Sequence, residues 1–219
     1  MLLVIDGLIT PAEAQVLREA ASDLQFDDGR KTAGRFAAAV KANDQAISAP
    51  ALDAVLAKVE LALAGNAVFR SVARPKALTR LILSRYRQGQ TYGLHVDDAL
   101  MQGLRTDLSF TLFLAEPDSY DGGALIIEDH FEARAIKLNP GDMIVYPSTT
   151  LHRVEEVTRG ERLAVVGWVQ SLIRNPEQRE ILFDLDQSVE AVHAAEGKSA
   201  LFDRLAKTRS NLLRMWAEP

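Results

Sequence analysis

Two histidines and one aspartate carry the most distinctive chemistry available to this chain. In "YGLHVD", His95 and Asp97 stand two positions apart. On an extended strand residues i and i+2 project from one face, so an imidazole and a carboxylate point together while Val96 turns away. The chain holds four histidines, which leaves His130, His152 and His193 as candidates for a third ligand. His130 falls in the "EDHFE" hairpin tip and His193 in a C-terminal helical pattern. His152 opens a strand directly after the turn "YPSTT". Two histidines and a carboxylate on one face, with the opposite positions open, form the facial triad of non-haem Fe(II) sites. The open positions admit a chelating co-substrate and dioxygen together. Taken alone, H-x-D also marks an ordinary polar turn at a strand's end.

A fourth residue bears on that choice. In "ERLAVVGWVQ", Arg162 shares strand parity with Ala164, Val166 and Trp168, while Leu163, Val165 and Val169 make the other face. Both rows are largely apolar, so a charge stands in a row otherwise fit for an interior. It is either a strand-end arginine reaching solvent near "TRGE" or a guanidinium kept inside to bind a carboxylate through two hydrogen bonds. A hairpin turning at Thr158–Gly160 would set Arg162 several residues deeper than His152 along a paired strand. A ligand could then bridge metal and arginine.

The elements that must position these residues come in three regions. Residues 1–76 read as a strand and helices packing on a core. Leu2–Ile5 is strand-like, and "TPAEAQVLREAASDL" starts with Thr10 as N-cap, Pro11 in the first turn and Glu13 completing a capping box. Val16, Leu17 and Leu24 supply an apolar stripe. The polar "DDGRKTAGRF" reads as a connection, and "ALDAVLAKVELALAG" as a second helix with Leu52, Val55, Leu56, Val59 and Leu63 at helical spacing. Over residues 77–174 the period changes to two. Strand-length runs such as "DLSFTLFLA", "GALIIED" and "GDMIVYP" alternate with turn signals such as "EPDSYDGG" and "NPGD". About eight short strands with no helix between them suit a sandwich or jelly roll rather than a parallel α/β sheet. Residues 175–219 return to helix in two segments.

Composition closes several alternatives. A chain of 219 residues can bury a sizeable core without staples. The absence of cysteine excludes disulfides, zinc–thiolate sites and iron–sulfur clusters, so any metal falls to histidine and carboxylate. Net charge is −5, with no basic block, which argues against nucleic acid as a partner. No apolar run approaches the ~18–20 residues of a membrane span. The first residues lack the basic start of a signal peptide, so a cytoplasmic protein is expected.

At these residues the chain resembles the Fe(II)/2-oxoglutarate-dependent dioxygenases, specifically the bacterial PKHD-type hydroxylases. The matching stretches, in order, are "VKANDQ", "RYRQGQTYGLHVD", "RTDLSFTLFL", "SYDGGALIIED", "LNPGDMIVYPSTTLHRVEEVTRGERLAVVGWVQSLIR" and "FDLD". The resemblance implies a mainly β fold with flanking helices (α+β), its core a double-stranded β-helix, or jelly roll. It implies Fe(II) held by His95, Asp97 and His152, 2-oxoglutarate held through its distal carboxylate by Arg162, and L-ascorbate as a reductant. Tyr86 either hydrogen-bonds the co-substrate or packs as a core tyrosine, and Tyr92 lies on the same approach. The reaction implied is hydroxylation with release of succinate and CO2. The substrate would be a peptide or amino-acid side chain or a siderophore-like molecule.

Two departures stand out. Gly122-Gly123-Ala124 replaces the Gly-Gly-Glu of many relatives, and Asp98 stands where many have a small residue. Three further readings stay open at this level. Lys41, Asn43 and Gln45 either line the entrance or form a polar loop. The C-terminal helices either mediate a homodimer or cover the barrel. A non-catalytic iron and 2-oxoglutarate binding module on the same fold is the alternative to an enzyme, and its signature would be a missing ligand or arginine.

Overall fold

A computed structural model describes residues 1–128 and 132–218; His130 lies outside them. Two antiparallel sheets face each other. The larger runs in the order Leu3–Ile5, Met143–Pro147, Leu108–Phe113, Glu161–Ser171, Ile82–Arg87, Asp44–Ala46, Phe26–Asp28, with Pro75–Leu78 pairing the far half of Glu161–Ser171. The smaller runs Ala133–Ile136, Leu125–Glu128, His152–Val154, Thr91–His95, Lys41–Ala42. This is the expected mainly β architecture with flanking helices. The strand Leu108–Phe113 is buried at every position. A strand in the middle of a sheet covered on both sides needs such a continuous run.

The flanking helices form where their sequences dictate. Glu13 N donates to Thr10 Oγ1 at 3.2 Å, and Thr10 N donates to Glu13 Oε2 at 2.7 Å, which completes the capping box of helix Pro11–Ser22. Leu17 is buried on its inner face, while Val16 faces solvent. Leu52, Val55, Leu56, Val59 and Leu63 of helix Pro50–Gly65 are all buried. Phe69, from the following helix Ala67–Ala73, meets Phe110 of the large sheet edge-on, with ring centroids 6.0 Å apart. That helix was not apparent in the sequence.

Two parts of the chain differ from the sequence expectation. The polar "DDGRKTAGRF" carries the strand Phe26–Asp28, a 3-10 turn Gly29–Thr32 and the short helix Arg35–Ala38. The Asp28 carboxylate accepts from Arg30 N at 2.9 Å and starts the turn. The expected hairpin at Thr158–Gly160 is not formed. His152–Val154 pairs with Leu125–Glu128 and Thr91–His95, and Val157–Arg159 pairs with Asp121–Gly122. Glu161–Ser171 belongs to the other sheet. The chain therefore crosses between sheets here, and a crossing needs the same turn residues as a hairpin.

The segment "VKANDQ" makes a second crossing. Lys41–Ala42 pairs with Thr91–His95 in the small sheet, and Asp44–Ala46 pairs with Ile82–Arg87 in the large one. Lys41, Asn43 and Gln45 are all buried.

Helices Pro176–Glu196 and Ala200–Trp216 pack on each other, with His193 against Phe202 at 5.0 Å between ring centroids. Their tie to the core is Asp186. Its carboxylate accepts from Arg74 Nη2 at 2.7 Å and also from Ser71 Oγ and Arg209 Nε. Arg74 and Asp186 are each only 8% exposed, so removing one partner strands the other's charge. Asp186→Ala is expected to destabilise the fold by about 3–5 kcal/mol, measured by urea denaturation.

Candidate metal centre

His95 and His152 stand directly opposite each other on neighbouring antiparallel strands. Their rings are 4.3 Å apart between centroids. The pairing of the strand ends at His95, and Asp97 follows two residues on, its carboxylate turned back to the same spot. Asp97 Oδ1 lies 4.0 Å from His95 Nε2, and Asp97 Oδ2 lies 3.8 Å from His152 Nε2. One ligand atom from each residue falls within 4.8 Å of the others. A single ion about 2.0–2.2 Å from each donor fits that spacing.

Local hydrogen bonds prepare the donors. Nδ1 of His95 lies 2.8 Å from Gly93 O, and Nδ1 of His152 lies 2.9 Å from Thr150 O. A carbonyl only accepts, so each Nδ1 carries the proton and each Nε2 keeps its lone pair for a metal. Burial, with His152 beside it, pushes the His95 imidazole down to about 4, which favours the neutral form a metal requires. Tyr92 stacks on His95 at 3.6 Å between centroids, and Tyr146 meets His152 edge-on at 5.2 Å.

Ser109 completes the support. Its hydroxyl donates to Asp97 Oδ2 at 2.5 Å and meets Ser148 Oγ at 2.8 Å, with both serines 2% exposed. Sequence reasoning missed these residues. The available signal was Ser109 and Thr111, two hydroxyls at i and i+2 inside an otherwise apolar strand.

His95, Asp97 and His152 line a cavity of about 580 Å³ between the sheets, together with Tyr86, Arg162 and Trp168. Of the row expected from "ERLAVVGWVQ", Arg162, Val166 and Trp168 line it, with Gly167 of the other row and without Ala164. Arg162 is 1% exposed and is the largest fully buried side chain. It forms no ion pair among the described residues, and its Nε and the Tyr120 hydroxyl are both buried without a hydrogen-bond partner. Its guanidinium rests 5.3 Å from the ring centroids of Tyr86 and Phe113. Tyr86 is its cross-strand partner; burial pushes that phenol up, and the guanidinium opposes the rise. An unpaired cation so deeply buried calls for an anion. The donor set and this guanidinium, which has no carboxylate partner among the described residues, together fit a divalent metal with a carboxylate ligand.

Lys41 reaches the same cavity. Its ammonium lies 4.9 Å from the Tyr92 ring centroid, and burial pushes it down to about 8 against the pull of Asp97 and Asp28. Asp98 lies exposed beside Gly34. His193, in the helical pair, is not part of the cluster.

Known proteins bear on this arrangement. The family model of the 2OG-Fe(II) oxygenase superfamily matches residues 81–170, and the PKHD-type hydroxylase C-terminal domain matches residues 177–218. A PKHD-type hydroxylase of Maricaulis maris is 51% identical over 100% of both chains, and one of Parvibaculum lavamentivorans is 48% identical over 100% of both. Among solved structures, a Pseudomonas putida prolyl-4-hydroxylase superposes with TM-score 0.54 at 20% identity, covering 78% of this chain and 92% of its own. HygX from Streptomyces hygroscopicus, solved with nickel and 2-oxoglutarate, gives TM-score 0.56 at 16% identity, covering 78% and 84%. These two likenesses speak to the jelly-roll fold. Identity near one half over the whole length speaks to more: the chain belongs to the PKHD-type hydroxylases of the 2OG-Fe(II) oxygenase superfamily.

Proposed function

We propose that this hydroxylase binds Fe(II) through His95, Asp97 and His152 and 2-oxoglutarate through Arg162, and oxidises a small-molecule or peptide substrate with release of succinate and CO2. The observation that carries the reading is the fully buried, unpaired Arg162 in the same cavity as the three convergent donors. Residues 77–174 would form the catalytic unit, with residues 1–76 and 175–219 supporting it. A non-catalytic binding module has no such support, since neither a ligand nor the arginine is missing.

Bound iron, with 2-oxoglutarate and dioxygen, supplies the oxidising power; the protein binds, orients and excludes water. His95 and His152 offer neutral nitrogens held by backbone carbonyls, so the imidazoles need no reorientation. Asp97 supplies one negative charge, which Ser109 steadies by its hydroxyl. Arg162 pairs with the distal carboxylate of the co-substrate, which fixes its reach into the site. Tyr86, opposite Arg162 on the neighbouring strand, packs against the guanidinium, and its hydroxyl would donate to that carboxylate. Ascorbate would restore oxidised iron, and the protein would work in the cytoplasm.

Three outcomes test this reading. His95→Ala and Asp97→Ala each abolish Fe(II)-dependent succinate formation from 2-oxoglutarate; normal turnover in either variant removes that residue from the triad. Arg162→Ala raises the 2-oxoglutarate KM roughly tenfold to a hundredfold, the worth of a charge-assisted pair, with metal affinity retained in calorimetric titration with Mn(II). Ser109→Ala lowers Mn(II) affinity about 10–100-fold without altering the thermal transition of the metal-free chain by more than a few degrees.

A further inference from the structure

The metal donors and Arg162 account for one end of the cavity. A further part of the lining is the crossing segment Lys41–Ala46, from which Lys41, Asn43 and Gln45 reach the cavity. Asn43 is used structurally: its Nδ2 donates to Ser84 Oγ at 2.7 Å, and its Oδ1 packs over Gly29, where a Cβ would come within 2.0 Å. Lys41 is not used in that way. Its Nζ has three donors and makes one long contact, 3.4 Å to Thr32 Oγ1, whose own proton goes to Gln45 Oε1 at 2.7 Å. The side chain is 8% exposed and has no ion-pair partner among the described residues. A buried ammonium with unmet donors facing a cavity is a ligand-binding feature.

Charge balance points to the ligand. On the reading proposed above, the divalent ion and Arg162 contribute three positive charges. Asp97 and dianionic 2-oxoglutarate contribute three negative ones. Lys41 then leaves one positive charge over, in a space of low dielectric where an unmatched charge is costly. The rim charges are offset locally: Asp27 pairs with Lys31 and Asp28 with Arg30, and Arg80 lines the cavity as Asp98 does, so the single charge of Lys41 calls for a single negative charge. Leu81, Leu100, Ala33 and Trp168 give the cavity an apolar side.

We propose that Lys41 is the recognition residue for the substrate to be oxidised, and that this substrate is a small monocarboxylic acid with an apolar body, its carboxylate held by Lys41 beside the Gln45 amide. The Tyr92 ring meets both groups, with the Lys41 ammonium 4.9 Å from its centroid and the His95 imidazole stacked on it at 3.6 Å. The acid therefore brings a carbon near its carboxylate to the metal. This inference rests on the assignment of iron and 2-oxoglutarate made above.

The test is calorimetric, on the full chain loaded with Mn(II) and saturated with 2-oxoglutarate, so that the metal and Arg162 are already occupied. N-acetyl-leucine, benzoate and hexanoate are each titrated against the corresponding primary amide, which matches the acid in shape and lacks its charge. Wild-type protein is expected to prefer at least one acid over its amide by about tenfold or more. Lys41→Met loses that preference and keeps the wild-type affinity for 2-oxoglutarate, while Lys41→Arg retains part of the preference. If Lys41→Met fails to fold by circular dichroism, Lys41→Gln takes its place. Absence of any acid preference in wild-type protein overturns the proposal, as does a preference that survives loss of the lysine charge. Weakened 2-oxoglutarate binding in Lys41→Met also overturns it, by assigning Lys41 to the co-substrate. Failure of wild-type protein to bind 2-oxoglutarate at all would instead sink the co-substrate assignment, and the acid preference would then be read on the Mn(II) form alone.

Discussion

The register between the strands Thr91–His95 and His152–Val154 is the constraint on which the site depends. With His95 opposite His152, two imidazoles from positions 57 residues apart in the chain stand side by side, next to a register shift between His152 and Val154. A slip of one residue would turn one ring to the outer face, because side chains alternate along a strand. Everything else in the site is arranged around that pair. Strand pairing stops at His95, which frees Asp97 to turn back, and the carbonyls two residues before each histidine fix its tautomer. Tyr92 and Tyr146 close the flanks of the two rings.

The interior is also organised by charge. Among the described residues the buried Arg74 is matched by Asp186, and the buried Arg179 is met by the carbonyls of Ile173 and Arg174. Arg162 and Lys41 are buried and have no such partner among the described residues. Both border one cavity, on different sheets, with the metal donors also on its wall. A fold retains unmatched buried cations only against a steady cost in stability, and their convergence on one space locates where anions are handled.

Much of this was legible in the residues themselves. The position of His152 after a turn and the parity of Arg162 express local rules, and local rules survive folding; His95 and Asp97 do come together, but the strand ends at His95 and Asp97 turns back from beyond it rather than projecting from the same strand face. What could not be read depends on pairing between distant segments. "VKANDQ" is as polar as any loop, and Lys41 becomes buried only because its strand adds to one sheet and the next strand to the other. The turn "TRGE" serves a crossing between sheets as well as it would a hairpin, so the relation of Arg162 to His152 came out differently from the sequence expectation. Ser109 showed as a hydroxyl in an apolar strand, but its partner Asp97 lies just beyond the end of a strand of the opposite sheet.

The Asp186 junction bears on how far this chain can be divided. Recognisable sequence pattern falls into two spans, residues 81–170 and 177–218, which invites treating the helical end as a detachable module. The junction argues otherwise. Arg74 stands between helix Ala67–Ala73 and strand Pro75–Leu78, its countercharge is on helix Pro176–Glu196, and Glu218 N bonds back to Leu172 O at 2.8 Å. Severing the chain between the spans would leave a guanidinium in a dry wall of the barrel and an uncovered face beside it. The two spans are separate as sequence patterns but joined by these contacts in the folded chain.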